Sequence, residues 1–137
     1  MSTLVDSNVL IDIIDPKSRW RGWSEARLTE VAGAGPVVIN QIILAETSEV
    51  FRDPTAFEPF ASMARLLRES VPWEACYEAG RAHVEYRGQG GQRERALPDF
   101  FVGAHATVRG YRLLTRDAQR YRRYFPSIEI IAPDTHP

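Results

Sequence analysis

Four short apolar segments constrain this chain more than any other feature: TLVD (residues 3–6), PVVIN (36–40), YRLLT (111–115) and IEIIAP (128–133). They are too short and too apolar to be strands with one wet face, so each needs cover on both sides. That cover is supplied between them. SNVLIDII (7–14) predicts a short helix that stops before Pro16. RWRGWSEARLTEVAGAG (19–35) has helical spacing through Trp20, Trp23, Leu28 and Val31 and ends in glycines suited to a C-terminal cap. Asn40 is placed to cap a helix over QIILAETSEVF (41–51). DPTAFEPFASMARLLRES (53–70), PWEACYEAGRAHVEYRG (72–88), PDFFVGAHATVRG (98–110) and RDAQRYRRYF (116–125) predict four more helices, the third opened by Pro98. Short strands alternating with helices define an α/β domain with a central, mostly parallel sheet flanked by helices. With 137 residues, a single domain over 1–137 is expected, its elements running from about residue 2 to 133.

Composition narrows the function classes. The lone Cys76 has no partner for an internal disulfide or a multi-cysteine metal site, which fits a reducing compartment, and its simplest role is a small apolar side chain on a helix. The first residues lead straight into a strand, with no basic leader, and no apolar run reaches the roughly 18 residues of a membrane span. A cytoplasmic protein without membrane contact is therefore expected. A net charge of -1 argues against a generally basic coat, yet six arginines fall between Arg109 and Arg123 against the single acid Asp117.

The acids carry the chemistry. Ligands of open α/β sheets bind outside the carboxyl ends of the strands. Asp6 ends the first strand, Asp117 follows the strand that closes with Thr115, and Asp99 lies in the first turn of the helix opened by Pro98. Each alone suits a helix start, where a carboxylate contributes about 0.3–1 kcal/mol. Glu46 does not: at 100° per residue it falls among Ile42, Ile43 and Val50, in the middle of an apolar stripe. A carboxylate there needs a partner or a strongly shifted pKa. One arrangement accounts for all four: Asp6, Glu46, Asp99 and Asp117 converge at the carboxyl edge of the sheet. Close carboxylates repel unless protons or cations intervene, and oxygen-only ligands select hard cations, Mg²⁺ or Mn²⁺.

VDSNVLID, ILAE, PDFFVGAHA and LLTRDAQRYRRYFPSIEIIAP together resemble the PIN-domain ribonucleases of the VapC toxin type, over nearly the whole chain and in the expected order. By that resemblance Asp6, Glu46, Asp99 and Asp117 match the family's acidic quartet, with Thr115 a hydroxyl residue near the metal and Ser7 and Asn8 supporting. Ser7 stands where the family usually has threonine and keeps the hydroxyl, whereas Phe100 and Phe101 are bulkier than the small residues common after the third acid. The implied activity is that of a metal-dependent endoribonuclease, cutting RNA phosphodiesters with a water activated by Mg²⁺ or Mn²⁺. The implied partners are a VapB-like antitoxin over the cleft and a second copy of the chain. The apolar stripes between Phe57 and Glu85 suggest where the copies meet.

In RDAQRYRRYF, arginines alternate with Tyr121, Tyr124 and Phe125, a pattern suited to phosphate contact and base stacking, or else to a solvated helix face with aromatics packed inward. Arg116 is the expected substrate contact. GQGGQRERA has no lysine after its glycines, so it is a connector and not a phosphate-binding loop, although its place before Asp99 lets it move over the site. His83, His105 and His136 lack the spacing of a zinc pair, and His105 is expected to be a packed structural residue. The alternative function is a catalytically degenerate PIN-fold module that binds RNA or protein. Retention of all four acids favours the enzyme.

Overall fold

The structure is a computed structural model that describes residues 1–51, 53–91 and 96–137. Five strands form one parallel sheet: β1 (Thr3–Val5), β2 (Val37–Ile39), β3 (Leu66–Arg68), β4 (Arg112–Leu114) and β5 (Ile130–Ile131), in the spatial order β3-β2-β1-β4-β5. Seven helices flank it among the described residues: α1 (Ser7–Ile14), α2 (Arg21–Ala34), α3 (Gln41–Ser48), α4 (Phe57–Met63), α5 (Trp73–Gly88), α6 (Ala96–Arg109) and α7 (Gln119–Tyr124). β1, β2 and β4 are almost wholly apolar because both faces of the sheet are covered; Leu4, Val5, Ile39, Leu113 and Leu114 are fully buried. Among the described residues, no helix is long and apolar enough to cross a membrane.

Most predicted elements lie within two or three residues of their observed bounds, and α1 matches at both ends. One region differs in kind. The helix expected over 53–70 is instead a short 3-10 turn (Pro54–Ala56), α4 and then a strand. Arg65 takes the left-handed conformation (φ 55°), which ends the helical path. Leu66, Leu67 and Arg68 then pair with Val37, Val38 and Ile39 of β2. The backbone of β2 would otherwise lie unpaired along that edge, and this long-range demand outweighs the helix propensity of MARLL. Leu67, expected on an apolar helix stripe, is exposed on this edge strand.

A second difference lies in α3, which stops at Ser48, three residues early. Thr47 Oγ1 donates to Ile43 O at 2.7 Å and Ser48 Oγ to Ala45 O at 2.9 Å, so the last turn bonds back on itself. Val50 falls outside the helix and is exposed. The buried face of α3 is therefore Ile43 and Thr47, with Glu46 half-buried beside it and not in its centre. Asn40 caps α3 as expected, its side-chain oxygen accepting from Ile43 N at 3.0 Å. That fixes its amide as donor to His105 Nδ1 (3.0 Å), which leaves Nε2–H of the buried His105 to donate to Glu69 (2.9 Å). His105 is thus the packed structural residue its position implied. Of the glycine-rich connector, residues 92–95 lie outside the described residues.

Candidate active site

The chain runs from β1 outward through β2 to β3, then returns to the other side of β1 for β4 and β5. The strand order therefore reverses between β1 and β4, the point at whose carboxyl ends open α/β sheets form their ligand cleft. Register places the side chains. Val5 pairs with Leu114, so the next residues of the two strands, Asp6 and Thr115, meet directly. Thr115 Oγ1 donates to Asp6 Oδ2 at 2.9 Å, and Asp6 Oδ1 caps α1 by accepting from Ser7 N at 2.9 Å. A third donor comes from α7, where the buried Tyr121 hydroxyl reaches Asp6 Oδ2 at 2.9 Å.

The other acids arrive from the flanking helices. Ser7 Oγ donates to Glu46 Oε1 at 3.0 Å, which ties α3 to the start of α1. Asp99, in the first turn of α6, forms an ion pair with Arg120 Nη1. Asp117 stands exposed at the rim after β4. Burial pushes the Asp6 carboxyl up to about 7; the charges of Asp99 and Glu46 push the same way, while the Thr115 and Tyr121 hydroxyls oppose them. Burial also raises Glu46, with Asp99 adding to the rise and the Ser7 hydrogen bond opposing it. Asp99 is raised by burial and by Asp117, against the pull of Arg120. The structure thus brings Asp6, Glu46 and Asp99 into one electrostatic cluster, with Asp117 acting on Asp99 from its edge. As placed, no three histidine, cysteine or carboxylate side chains among the described residues form a ready metal cage.

Asn8 and Thr115 brace the site. Asn8 Nδ2 donates to Thr115 Oγ1 at 3.2 Å, and its Oδ1 accepts from Arg116 N at 3.1 Å. The Arg116 side chain points elsewhere: Nε and Nη2 donate to Asp12 at 2.8 and 3.1 Å. Two of the nitrogens of the expected phosphate contact therefore serve the fold. Asp12, to which the sequence assigns no role, is 3 % exposed and also accepts from Ser18 and Ser24, each at 2.9 Å. The signal available for it was a second aspartate on an otherwise apolar helix, six residues after the first. Tyr121, whose place in the run suits a stacking platform or a packed ring, is packed, and its hydroxyl is aimed at Asp6, a contact that no local pattern signals. Tyr124 and Phe125 are buried too, so the aromatics of this run face inward and the stacking reading of them fails. Phe100 is wholly buried in that same cluster, 5.3 Å from Tyr124 and 6.1 Å from Phe125 between ring centres, and does not shape the cleft.

A parallel sheet with this order, carrying clustered carboxylates at its switch point, defines a class, and the PIN-domain family model matches residues 3–126. The chain belongs to the PIN-domain family. Its structural neighbours are VapC and FitB toxins of toxin-antitoxin complexes, at low identity over the full length. VapBC2 from Rickettsia felis, bound to a DNA fragment from its promoter, superimposes with a TM-score of 0.74 at 18% identity, covering 96% of this chain and 98% of that one. FitAcB from Neisseria gonorrhoeae gives 0.69 at 16% identity, with 98% and 99% covered. VapC20 from Mycobacterium tuberculosis, a toxin that cleaves the sarcin-ricin loop, gives 0.61 at 17% identity, with 93% and 98% covered. At these identities the likeness is one of fold. No curated protein matches the chain in sequence.

Proposed function

We propose that this protein is a divalent-metal-dependent endoribonuclease, the toxin of a toxin-antitoxin pair. The observation that carries the reading is the buried carboxylate Asp6, held near pKa 7 at the sheet's switch point by burial and by two further acids. A donor set of carboxylates with unfavourable mutual repulsion fits Mg²⁺ or Mn²⁺, whose charge relieves it. Asp6, Glu46 and Asp99 would hold the ion, with Asp117 at the rim. When bound, such an ion supplies an activated water and neutralises charge developing on the phosphate. The chain's own residues do the positioning. Thr115 and Tyr121 orient Asp6, Ser7 orients Glu46, and Asn8 fixes the loop after β4 through the Arg116 backbone. RNA incubated with the purified chain and Mn²⁺ should be cut at internal bonds, and excess EDTA should stop the reaction. Intact RNA under both conditions would favour a PIN-fold binding module instead. One observation supports that second reading: Asp99 already has an ion-pair partner in Arg120.

The partners follow from the same reading. An apolar cavity of about 510 Å³, lined by Ile13, Leu28, Phe60, Met63 and Ala64 between α1, α2 and α4, offers an antitoxin segment a seat at the end of the sheet opposite the acids, with Met63 77% exposed at its edge. On the outer face of α5, Trp73, Tyr77 and Val84 stand exposed at helical spacing, and these are the residues through which a homodimer would form. Sedimentation at micromolar concentration should show a dimer that Trp73→Glu converts to monomer; a monomeric parent protein would sink the dimer.

A further inference from the structure

Arg120 is the one side chain that brings positive charge into direct contact with the acid cluster among the described residues. It comes from α7, pairs with Asp99 through Nη1, and lies with its guanidinium carbon 5.4 Å from the centre of the Tyr86 ring. Both partners of the pair are about one-third exposed, so the pair sits at the cleft surface. Beside it opens a cavity of about 190 Å³ lined by Tyr86, Asp117, Gln119, Arg120, Arg123 and Tyr124. Arg123 has its own anchor, with Nη2 donating to Gln89 at 2.8 Å, and Arg122 is paired with Asp134 on the surface. A guanidinium bound to Asp99 competes for the same oxygens that a divalent ion needs. Its stem is long, and the Tyr86 face gives the released cation a favourable place to rest at the mouth of this cavity.

We propose that Arg120 is a resident counter-ion of the acidic cleft, which a divalent ion displaces from Asp99 and which then contacts a phosphate of the bound RNA. This inference rests on the metal-dependent reading above, but its first measurement needs no RNA. Titration calorimetry with Mn²⁺ alone should show tighter binding by Arg120→Ala and Arg120→Gln than by the parent chain, on the order of tenfold, as expected when a competing charge is removed. Arg122→Ala removes the same net charge from the surface and should leave Mn²⁺ affinity within about twofold. In the second measurement, Arg120→Gln with Mn²⁺ present should bind single-stranded RNA more weakly. Its log-log salt slope should be shallower by about 0.7, the value for one lost phosphate contact. Unchanged or weaker Mn²⁺ binding by both Arg120 variants, no detectable Mn²⁺ binding by any of the proteins, or an unaltered salt slope would overturn the proposal. A shift in Mn²⁺ affinity in a protein that cuts no RNA would remove the ribonuclease reading and the phosphate contact together, leaving only the counter-ion. Cleavage by a protein whose Mn²⁺ affinity ignores Arg120 would remove this inference alone.

Discussion

Asp6→Asn is expected to lose cleavage by roughly a thousandfold or more, the scale of several kcal/mol of lost charge stabilisation, while gaining stability in the absence of metal. The two effects have one cause. The Asp6 carboxyl titrates near 7 in the folded chain against an ordinary value of 3.8. Between those two pH values the folded state holds a proton that the unfolded state has released. Stability therefore falls as pH rises from about 4 to about 7, by up to about 4 kcal/mol from this residue, and above pH 7 the whole cost is present. Glu46 and Asp99, also raised, act in the same direction. Asparagine has no charge to bury and still accepts from Ser7 N, so the variant should lose most of this slope. Urea denaturation in EDTA at pH 5 and pH 8 checks it: the parent should be weaker at pH 8, and the variant should show a much smaller difference, the remainder left by Glu46 and Asp99. Added Mn²⁺ should stabilise the parent at pH 8 far more than the variant. A parent chain with equal stability at the two pH values would refute the buried-charge account of Asp6.

The second large effect is expected at Asp12, far from any predicted role. Asp12→Ala removes the acceptor of four hydrogen bonds, two from Arg116 and one each from Ser18 and Ser24. Breaking a buried ion pair from one side typically costs about 3–5 kcal/mol, and because Arg116 is partly exposed and can turn to water the low end, about 3 kcal/mol, is expected. The loss should reach the cleft, since the Arg116 backbone also holds Asn8, and Asn8 holds Thr115 against Asp6. Cleavage by the folded fraction should therefore fall as well. Arg116→Ala should be at least as damaging, because it leaves the Asp12 charge buried and unpaired. A double-mutant cycle separates the pair from its surroundings: the double variant should be more stable than the sum of the single losses predicts. Strict additivity of the two losses would show that the Asp12–Arg116 contact contributes no coupling.

Local features were legible without the fold. The buried strands followed from apolar runs too short to have a wet face, α1 from its spacing and the proline behind it, and the α3 cap from Asn40. Three candidate acids were visible because each stands at a strand end or helix start; Glu46 was singled out by an apolar stripe through Val50 that α3, ending at Ser48, does not keep. Long-range pairing decided the rest. β3 exists because the edge of β2 needs hydrogen-bond partners, and no property local to MARLL records that need. Arg116 and Asp12 are 104 residues apart, and Arg120 and Asp99 21 apart; which guanidinium meets which carboxylate depends on the order of strands β1 and β4 and on where α7 lands beside α6. The same placement turned Tyr121 inward onto Asp6 when its sequence context suited a stacking platform equally well. Periodicity and capping act over a few residues and so are written in the chain, whereas the partner of a buried charge is chosen by a sheet order that brings distant residues together.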